Sequence, residues 1–494
     1  MTEQKRSLRH SSLDISAESM AELSSKVTKL VTDYCEHVSD YPVFPPTAAG
    51  KTFESLNKDL ALEGEPLDKL LTDLQVIIQN SRHNGHPRFF GYVASPANPA
   101  GVFADLVASA LNANVTSWRS GPAATEVERA VVRWLGSLVG FSNNASGVLT
   151  SGGSMANFIA LFVAHRTKSA AGGSLGRKGL WISGAPMTIY ASEEIHLSIP
   201  KAADLMGVGR DQVRLVPCDE RLRMDVGKLR KAIETDLKKG QKPFCVVGSA
   251  GTVNTGAVDP LAELAAVAKE FDLWFHVDGA YGAPGALDES KRSLFAGIDL
   301  ADSLSLDPHK WLYVPLDSGC ILFKDEARHR GAFTAEEADY IKVHETDDES
   351  FAFWDYGPEL SRRFRALKIW FTLRYYGVNR LAAAISEDNS LAQYLAQSID
   401  NADDFELLAP VELSICCFRY APQELRDDEA ALNELNAKVM HAVQRGGEAY
   451  VSNATIGGKF ALRACITNFR TTRADIDQTL EVIRAAANLQ NRAR

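Results

Sequence analysis

The stretch SLSLDPHKW (303–311) decides the fold, because a short apolar strand runs there directly into polar residues. Pro308 has no N–H to give to a sheet, so the strand ends before it and leaves Lys310 at its tip. A second stretch of the same kind, LWFHVDGAYG (273–282), carries Asp278 into a turn of small residues. Asp278 and Lys310 are 32 positions apart (310 − 278), and one βαβ unit takes about 30 residues. We therefore expect two neighbouring parallel strands, joined by one helix, with both residues on the same edge of a sheet.

Strand-like and helical runs alternate along the chain on both sides of these two stretches. Further strands are predicted at 147–150, 187–192, 213–218, 244–250 and 320–323. Helices are predicted beside and between them, at 123–139, 225–239 and 260–271. Alternation of this kind builds βαβ units, in which helices cover both faces of a parallel sheet. The predicted fold class is therefore α/β, with a mainly parallel sheet flanked by helices.

The length of the chain indicates more than one structural unit. A chain of 494 residues exceeds what one hydrophobic core usually holds, so we divide it into three parts. Residues 1–98 are assigned to a helical N-terminal segment, 99–374 to a large α/β domain and 375–494 to a small α/β domain.

The N-terminal segment contains two apolar periodic runs, which predict amphipathic helices at 16–38 and 65–81. The stretch at 86–101 mixes aromatic residues with Gly and Pro and is interpreted as an ordered loop. These runs hold too few apolar residues for a separate core. We therefore expect this segment to pack on another surface, such as a second subunit.

Composition excludes several classes of function. The formal net charge is −10, which argues against sequence-independent binding to nucleic acid, where clustered Lys and Arg displace counterions. The polar opening MTEQKRSLRHSSLD (1–14) lacks the apolar core of a secretory signal, and no stretch approaches the ~20 apolar residues that cross a bilayer. The seven cysteines are scattered and show no CxxC spacing. We expect reduced thiols in a cytoplasmic protein that has no metal site and no contact with a membrane.

Two further strand ends carry chemically suggestive residues. In GVLTSGGSMAN (147–157), a strand, a glycine turn and a helix start provide free N–H groups that can hold a phosphate. The turn matches neither GxxxxGK[ST] nor GxGxxG, so nucleotide binding has little support. In SEEIHLSIPKAADLMG (192–207), His196 follows a strand and precedes a helix, where it can stack on an aromatic ring.

Each of these signals has an ordinary structural explanation when it is taken alone. Lys310 can be a lysine whose charge reaches solvent, Asp278 a helix cap or salt-bridge partner, and His196 a structural histidine. Together they supply what a pyridoxal-phosphate (PLP) site needs. A lysine of lowered pKa can form a Schiff base, an acid can pair with the pyridinium nitrogen, and a glycine turn can hold the phosphate.

The motifs that carry these residues closely resemble those of the group II PLP-dependent decarboxylases, which include the aromatic-amino-acid, histidine and glutamate decarboxylases. The resemblance runs from about residue 40 to about residue 390, and DPHKW (307–311) with HVDGAYG (276–282) is its most specific part. The supporting motifs are HPRFFGY (86–92), GPAATEVE (121–128), SGGSMAN (151–157), SEEIHLSIPKAADLMG (192–207), GTVNTGAVDPL (251–261), ADS (301–303) and SRRFRALKIWF (361–371).

The resemblance implies a homodimer of PLP fold type I, with an amino acid as substrate and the active site at the subunit interface. It makes Lys310 the Schiff-base lysine, Asp278 the partner of the ring nitrogen and His196 the stacking residue. The remaining cofactor-binding residues that it implies are Gly153, Ser154 and His309 at the phosphate, and Thr252 and Ala280 along the cofactor pocket.

The polar segment FTAEEADYIKVHETDDES (333–350) matches the mobile catalytic loop of that family. Its Tyr340 falls on the tyrosine that protonates the substrate carbon after carbon dioxide has left. The closest rival activity is that of an aldehyde synthase, which decarboxylates and then deaminates with oxygen. In this family that activity goes with loss of the tyrosine or change of the histidine. Because Tyr340 and His196 are both present, simple decarboxylation is favoured.

Two other activities have less support. A desulfurase would need a nucleophilic cysteine on the loop, and 333–350 contains none. A catalytically inactive homologue should have lost Lys310 or Asp278, and both are kept.

The resemblance assigns the substrate pocket to Tyr92, Ser95, Asn114 and Thr116. Val93, Asn114 and Thr116 stand where the aromatic-amino-acid enzymes have apolar or aromatic walls, and Val253 replaces a common second threonine. A pocket with Asn and Thr offers hydrogen bonds and less aromatic surface. An aromatic amino acid is the leading expectation for the substrate, and a polar or aliphatic amino acid is the alternative.

Overall fold

The computed structural model describes residues 13–60, 62–169, 178–179, 186–334 and 351–492. Its strands are, in chain order, β1 (Phe89–Phe90), β2 (Ser146–Thr150), β3 (Met187–Ser192), β4 (Val213–Val216), β5 (Lys242–Ser249), β6 (Trp274–Asp278), β7 (Ser303–Leu306), β8 (Gly319–Phe323), β9 (Phe405–Leu407), β10 (Ile415–Tyr420), β11 (Tyr450–Ile456) and β12 (Lys459–Cys465). They form one sheet of seven strands and one of five.

The α-helices of the described residues surround both sheets. They are α1 (Ala17–His37), α2 (Ala49–Leu56), α3 (Leu67–Gln79), α4 (Pro99–Leu111), α5 (Pro122–Leu138), α6 (Gly153–Lys168), α7 (Ser198–Leu205), α8 (Val226–Lys238), α9 (Leu261–Glu270), α10 (Glu326–Phe333), α11 (Ala366–Asp400), α12 (Glu429–Gly446) and α13 (Arg473–Arg492). Several begin where the sequence supplies a cap. Asn98 caps α4 and Asp225 caps α8, because each side chain accepts a hydrogen bond from a free N–H of the first turn.

The seven-stranded sheet confirms the prediction of a mainly parallel α/β fold. Its order is β2-β8-β7-β6-β5-β3-β4. The neighbours from β4 through β3, β5 and β6 to β7 pair in parallel, whereas β8 is antiparallel to both β7 and β2. Asp278 is paired in register with Ser249 of β5 on one side and Ser305 of β7 on the other. The carboxyl ends of three adjacent strands therefore meet at one edge, as open α/β sheets require for a site.

The connection between β6 and β7 differs from the prediction. The spacing indicated a crossover by one α-helix, but the chain forms three short 3₁₀-helices, Ala283–Leu287, Arg292–Phe295 and Ile298–Leu300. Gly297 separates the last two with φ of 96°, a conformation that glycine adopts without steric cost. The crossover still brings β7 beside β6, so the prediction of neighbouring strands is confirmed although the connecting element was wrong.

The five-stranded sheet contains one strand from the N-terminal part of the chain and four from the C-terminal part. Its order is β1-β11-β12-β10-β9, and β1 pairs in parallel with β11. The stretch 86–101, interpreted as a loop, therefore contributes one short strand and the first turn of α4. The sequence could not reveal this, because the partner strand lies about 360 residues further along the chain.

Helix α11 crosses the proposed boundary at residues 374 and 375, and its backbone is non-helical at Gly377. The three-part division remains a prediction.

The N-terminal helices α1 and α3 pack with little burial. Neither helix contains a buried residue, and α1 exposes Met20 and Leu23 on its apolar face. This agrees with the expectation that the segment lacks its own core. Across the ranges that the structure describes, none of the helices combines the length and the apolar character needed to span a membrane.

A buried carboxylic acid lies behind the strand end that carries Lys310. Asp388 of α11 accepts hydrogen bonds at Oδ2 from the indole Nε1 of Trp311 (2.9 Å) and the hydroxyl of Tyr313 (2.7 Å). Burial raises the pKa of Asp388 to about 7, against the hydrogen bonds from Tyr313 and Trp311, which lower it. The unfolded chain releases this proton near its ordinary pKa of about 4. The folded protein therefore holds the extra proton between about pH 4 and pH 7, and stability falls as the pH rises through that window.

We expect the variant Asp388→Asn, which cannot titrate, to lose this part of the pH dependence. Between pH 5 and pH 7.5 the wild type should lose up to about 1 kcal/mol of unfolding free energy per pH unit more than the variant does. Urea unfolding of both proteins at the two pH values measures the difference. Equal losses in the two proteins would show that Asp388 does not hold a proton in the folded state.

Candidate active site

A cavity of about 550 Å³ opens at the carboxyl edge of the seven-stranded sheet. It brings together residues from β6, from the segment after β7, from the glycine turn before α6 and from the β3–α7 connection. The sequence-predicted residues that line it are Tyr92, Gly153, Ser154, His196, Thr252, Asp278, Ala280, His309 and Lys310. Side chains that are far apart in the sequence therefore face one space.

Asp278 is the buried acid of this cavity. Its Oδ2 accepts a hydrogen bond from Nδ2 of Asn157 (2.8 Å), and its Oδ1 accepts from the N–H of Ala280 and the hydroxyl of Ser305 (both 3.1 Å). Burial would raise the pKa of Asp278, but the nearby His196 and Lys310 outweigh it and hold the pKa below its ordinary value. The carboxylate is therefore ionised at neutral pH while its direct hydrogen-bond donors are neutral.

His196 lies in the β3–α7 connection, two residues before α7 begins. Its hydrogen bonds define the tautomer of its ring. Its Nδ1 lies 2.8 Å from the hydroxyl of Ser198 and accepts the N–H of Ser198 at 3.2 Å. Burial lowers the pKa of His196, with Lys310 acting in the same direction and Asp278 opposing. A neutral ring that accepts at Nδ1 carries its proton on Nε2.

Lys310 forms an ion pair with a second buried acid. Its Nζ lies 3.1 Å from Oδ2 of Asp307, whose other oxygen is buried without a hydrogen-bond partner. His309 is held by Ser318, whose carbonyl oxygen lies 2.7 Å and whose backbone nitrogen lies 3.2 Å from the ring Nδ1. Burial lowers the pKa of His309, so its ring is neutral at physiological pH.

The glycine turn before α6 is crowded on the side of Asp307. A Cβ on Gly153 would lie 2.8 Å from Oδ2 of Asp307 and 3.0 Å from Cβ of Ala280. Gly152, at the N-cap of α6, makes no side-chain cap, so the first N–H groups of the helix have no partner of that kind. The turn thus brings a positive helix end close to the cavity, which suits a phosphate.

The residues assigned to the substrate pocket differ in whether they line the cavity. Tyr92 lines the cavity, whereas Ser95 lines a neighbouring cavity and donates its hydroxyl to the carbonyl of His309 at 3.1 Å. Asn114 and Thr116 do not line the cavity of their own chain. Oδ1 of Asn114 accepts the N–H of Arg362 at 2.9 Å. Tyr340 lies outside the described residues.

Sequence reasoning missed several polar residues of the cavity wall, among them Asp307, Asn157 and Arg463. Asn157 contacts Asp278 and is a member of SGGSMAN (151–157), but no local signal shows that it faces β6. Arg463 of β12 is almost fully buried, and its Nη2 has no hydrogen-bond partner among the described residues. A basic residue within the apolar strand FALRAC (460–465) was the available sign that this side chain is unusual.

The arrangement fits PLP. The glycine turn at the helix start can hold the phosphate, the buried Asp278 can face the ring nitrogen, and the amine of Lys310 faces the same cavity. His196 lines that cavity with a neutral ring, which suits stacking. No group of three or more side chains suited to holding a metal ion is found in the described part of the chain.

Comparison with known proteins identifies the class. The pyridoxal-dependent decarboxylase conserved domain matches residues 49–421. Aromatic-L-amino-acid decarboxylase of Bacillus atrophaeus is 37% identical over 477 residues, which cover 96% of this chain and 97% of the relative. 4-Hydroxyphenylacetaldehyde synthase of Rhodiola rosea is 31% identical and covers 95% of each chain. The crystal structure of Oryza sativa TDC with PLP and tryptamine superposes with a TM-score of 0.89 at 28% identity, over 97% of this chain and 99% of that one.

The chain belongs to the pyridoxal-dependent decarboxylase family. It is a PLP-dependent decarboxylase of fold type I, and both the predicted cofactor and the predicted enzyme class are confirmed.

We expect Gly153→Ala to weaken PLP binding, because the added methyl group would displace the carboxylate of Asp307 that holds Lys310. Overpacking a rigid site costs about 1–3 kcal/mol, which corresponds to an affinity weaker by about 5-fold to about 150-fold. Titration of the apoenzyme with PLP measures the change. Gly446→Ala is the matched control, since a Cβ there meets no atom within 4 Å. Unchanged PLP affinity in Gly153→Ala would remove this turn from the cofactor site.

Proposed function

We propose that the protein decarboxylates an aromatic L-amino acid to carbon dioxide and the corresponding amine. The observation that carries this proposal is the 37% identity, over nearly the whole of both chains, with an enzyme named for that substrate class. The cavity supports it, because Tyr92 and Tyr281 offer aromatic surface beside Lys310 and Asp278.

In this proposal, Lys310 holds the cofactor through its amine and later releases the product. PLP, when bound, accepts the electron pair that is left when the carboxylate departs. Asp278 keeps a proton on the ring nitrogen, for which its lowered pKa and buried position suit it. Asp307 fixes the side chain of Lys310 through the 3.1 Å ion pair. Gly153, Ser154 and His309 bind the phosphate, while Thr252 and Ala280 line the pocket.

The fate of the substrate carbon distinguishes a decarboxylase from an aldehyde synthase. We assign its protonation to Tyr340, with His196 positioning the reacting group. Nε2 of His196 carries the proton in the neutral ring, because Nδ1 accepts the hydrogen bonds from Ser198. Retention of both residues supports release of the amine, although several relatives are aldehyde synthases.

A second candidate substrate is an acidic amino acid, and one observation favours it. Arg463 lines the cavity, its Nε donates to the carbonyl of Asn254 (3.0 Å) and its Nη1 donates to that of Tyr92 (2.7 Å), while no residue in the described ranges pairs with Nη2. A buried guanidinium with a free N–H group is suited to a carboxylate. The side chain of an acidic substrate could use it.

A homodimer with the site at the subunit interface would explain the exposed apolar face of α4 and the positions of Asn114 and Thr116 outside the cavity. Helix α4 exposes Leu106, Val107 and Leu111 at 51–61% of their surface, and the chain continues from this face to Asn114 and Thr116. A second copy that covers this apolar face would bury it and bring those two polar residues toward the partner's cavity.

The free thiols of all seven cysteines agree with the cytoplasmic location that the sequence predicts.

The test is to supply the PLP-loaded enzyme with aromatic, acidic, polar and aliphatic L-amino acids and to measure amine, aldehyde and peroxide by mass spectrometry and a peroxide assay. We expect amine from the aromatic substrates and no peroxide. Heat-treated enzyme serves as the control for spontaneous reactions. Faster amine formation from acidic substrates would replace the aromatic assignment with the Arg463 alternative. Aldehyde with an equal amount of peroxide would contradict the roles given to Tyr340 and His196.

A further inference from the structure

The carboxamide of Asn157 is completely used in hydrogen bonds inside the protein. Its Nδ2 donates to Oδ2 of Asp278 and to Oγ of Ser198, both at 2.8 Å. Its Oδ1 lies 3.0 Å from Nε2 of His276. Asn157 is 1% exposed and Asp278 is buried, so water does not compete for these bonds. A buried amide whose two N–H groups and carbonyl oxygen all have hydrogen-bond partners has a single orientation.

The direction of each hydrogen bond follows from the ionised carboxylate of Asp278, which can only accept, so that Nδ2 of Asn157 faces it and Oδ1 faces Nε2 of His276. The indole Nε1 of Trp274 donates to Oγ of Ser303 at 2.9 Å, and that hydroxyl lies 2.9 Å from Nδ1 of His276. Burial lowers the pKa of His276 to about 4, so the ring is neutral and holds one proton. Because Oδ1 of Asn157 can only accept, this proton is on Nε2 and is donated to Asn157, and Nδ1 accepts from the hydroxyl of Ser303.

The contacts with Asp278 and His276 prevent the amide group of Asn157 from rotating to the opposite orientation. If the carboxamide of Asn157 rotated by half a turn, its oxygen would face the Asp278 carboxylate and its amine would face the N–H of His276. Both contacts would then be repulsive, in a region from which water is excluded. The carboxylate of Asp278 and the Nε2–H of His276 therefore fix the orientation of the Asn157 amide.

We propose that Asn157 is a positioning residue for the cofactor, because its neutral amide orients the carboxylate of Asp278 through a hydrogen bond and leaves its charge in place. The inference rests on the proposed pairing of Asp278 with the ring nitrogen of PLP. An arginine or lysine in the place of Asn157 would also hold the carboxylate, but its charge would reduce the pull of Asp278 on the pyridinium proton. A neutral N–H donor stabilises the ionised form and leaves the charge available.

A purely structural role for Asn157 makes a different prediction. The side chain also ties α6 to β6 and to the start of α7, so its loss must lower stability in either case. Stability alone therefore does not decide the question. A positioning role additionally requires that the effect on cofactor binding depend on the ring nitrogen.

The experiment compares PLP with its 1-deaza analogue, in which a C–H group replaces the ring nitrogen. Wild-type apoenzyme and the variant Asn157→Leu are titrated with both compounds, and tryptophan fluorescence reports the dissociation constants. We expect the wild type to bind PLP roughly tenfold more tightly than the analogue, since a hydrogen bond to a charged group is at stake. In Asn157→Leu this ratio should fall close to one, with most of the loss on the PLP side.

The control is Asn389→Leu, which removes another buried Asn–Asp hydrogen bond (Nδ2 to Oδ2 of Asp288, 2.8 Å) away from the cavity. It should lower the melting temperature and keep the wild-type ratio. Asn157→Ala replaces the leucine variant if the larger side chain prevents folding. An unchanged ratio in a folded Asn157 variant would overturn the positioning role and leave the role of Asp278 intact. A ratio near one in the wild type would instead overturn the role of Asp278, and the inference about Asn157 with it.

Discussion

Asp278 lies at the carboxyl end of β6, near the middle of the seven-stranded sheet, with its side chain buried. An ionised carboxylate in such a place is stable only if hydrogen bonds and nearby positive charge replace the water that it has lost. The N–H of Ala280, the hydroxyl of Ser305 and the amide of Asn157 supply the hydrogen bonds. The rest of the cavity is arranged around this constraint.

The site keeps two acids in different states of pairing. Asp307 is in direct contact with Lys310, whereas Asp278 has only neutral direct donors. This division suits a PLP enzyme, because one carboxylate must hold the lysine and the other must hold a proton on the cofactor ring. The parallel alignment of β6 and β7 makes the division possible, since it brings the ends of both strands to the same edge.

Much of the fold could be predicted because its signals are local. The strands predicted at 187–192 and 303–306 have those same bounds in the structure, since short apolar runs end there at polar or proline residues. Asp278 and Lys310 could be predicted to share one cavity for the same reason, because Asp278 ends such a run and Lys310 lies four residues after another. The 3₁₀ crossover between them was not predictable from spacing, since the chain length allows either kind of helix.

What the sequence concealed depends on contacts between distant segments. The role that we propose for Asn157 depends on its contact with Asp278, which is 121 residues away, and β1 forms a strand only because β11 lies beside it. The unpartnered nitrogen of Arg463 likewise becomes visible only once β12 is placed against the cavity. Asn114 and Thr116 show the same limit in another form, because their predicted role requires a second subunit.

Reduction of the PLP-loaded enzyme with borohydride, followed by peptide mapping, tests the central claim most directly. Borohydride converts the Schiff base between cofactor and lysine into a stable bond, so the modified residue can be identified by its mass. The account predicts that the peptide containing DPHKW (307–311) carries the reduced cofactor on Lys310. Modification of a different lysine, or of none, would contradict the assignment of the site.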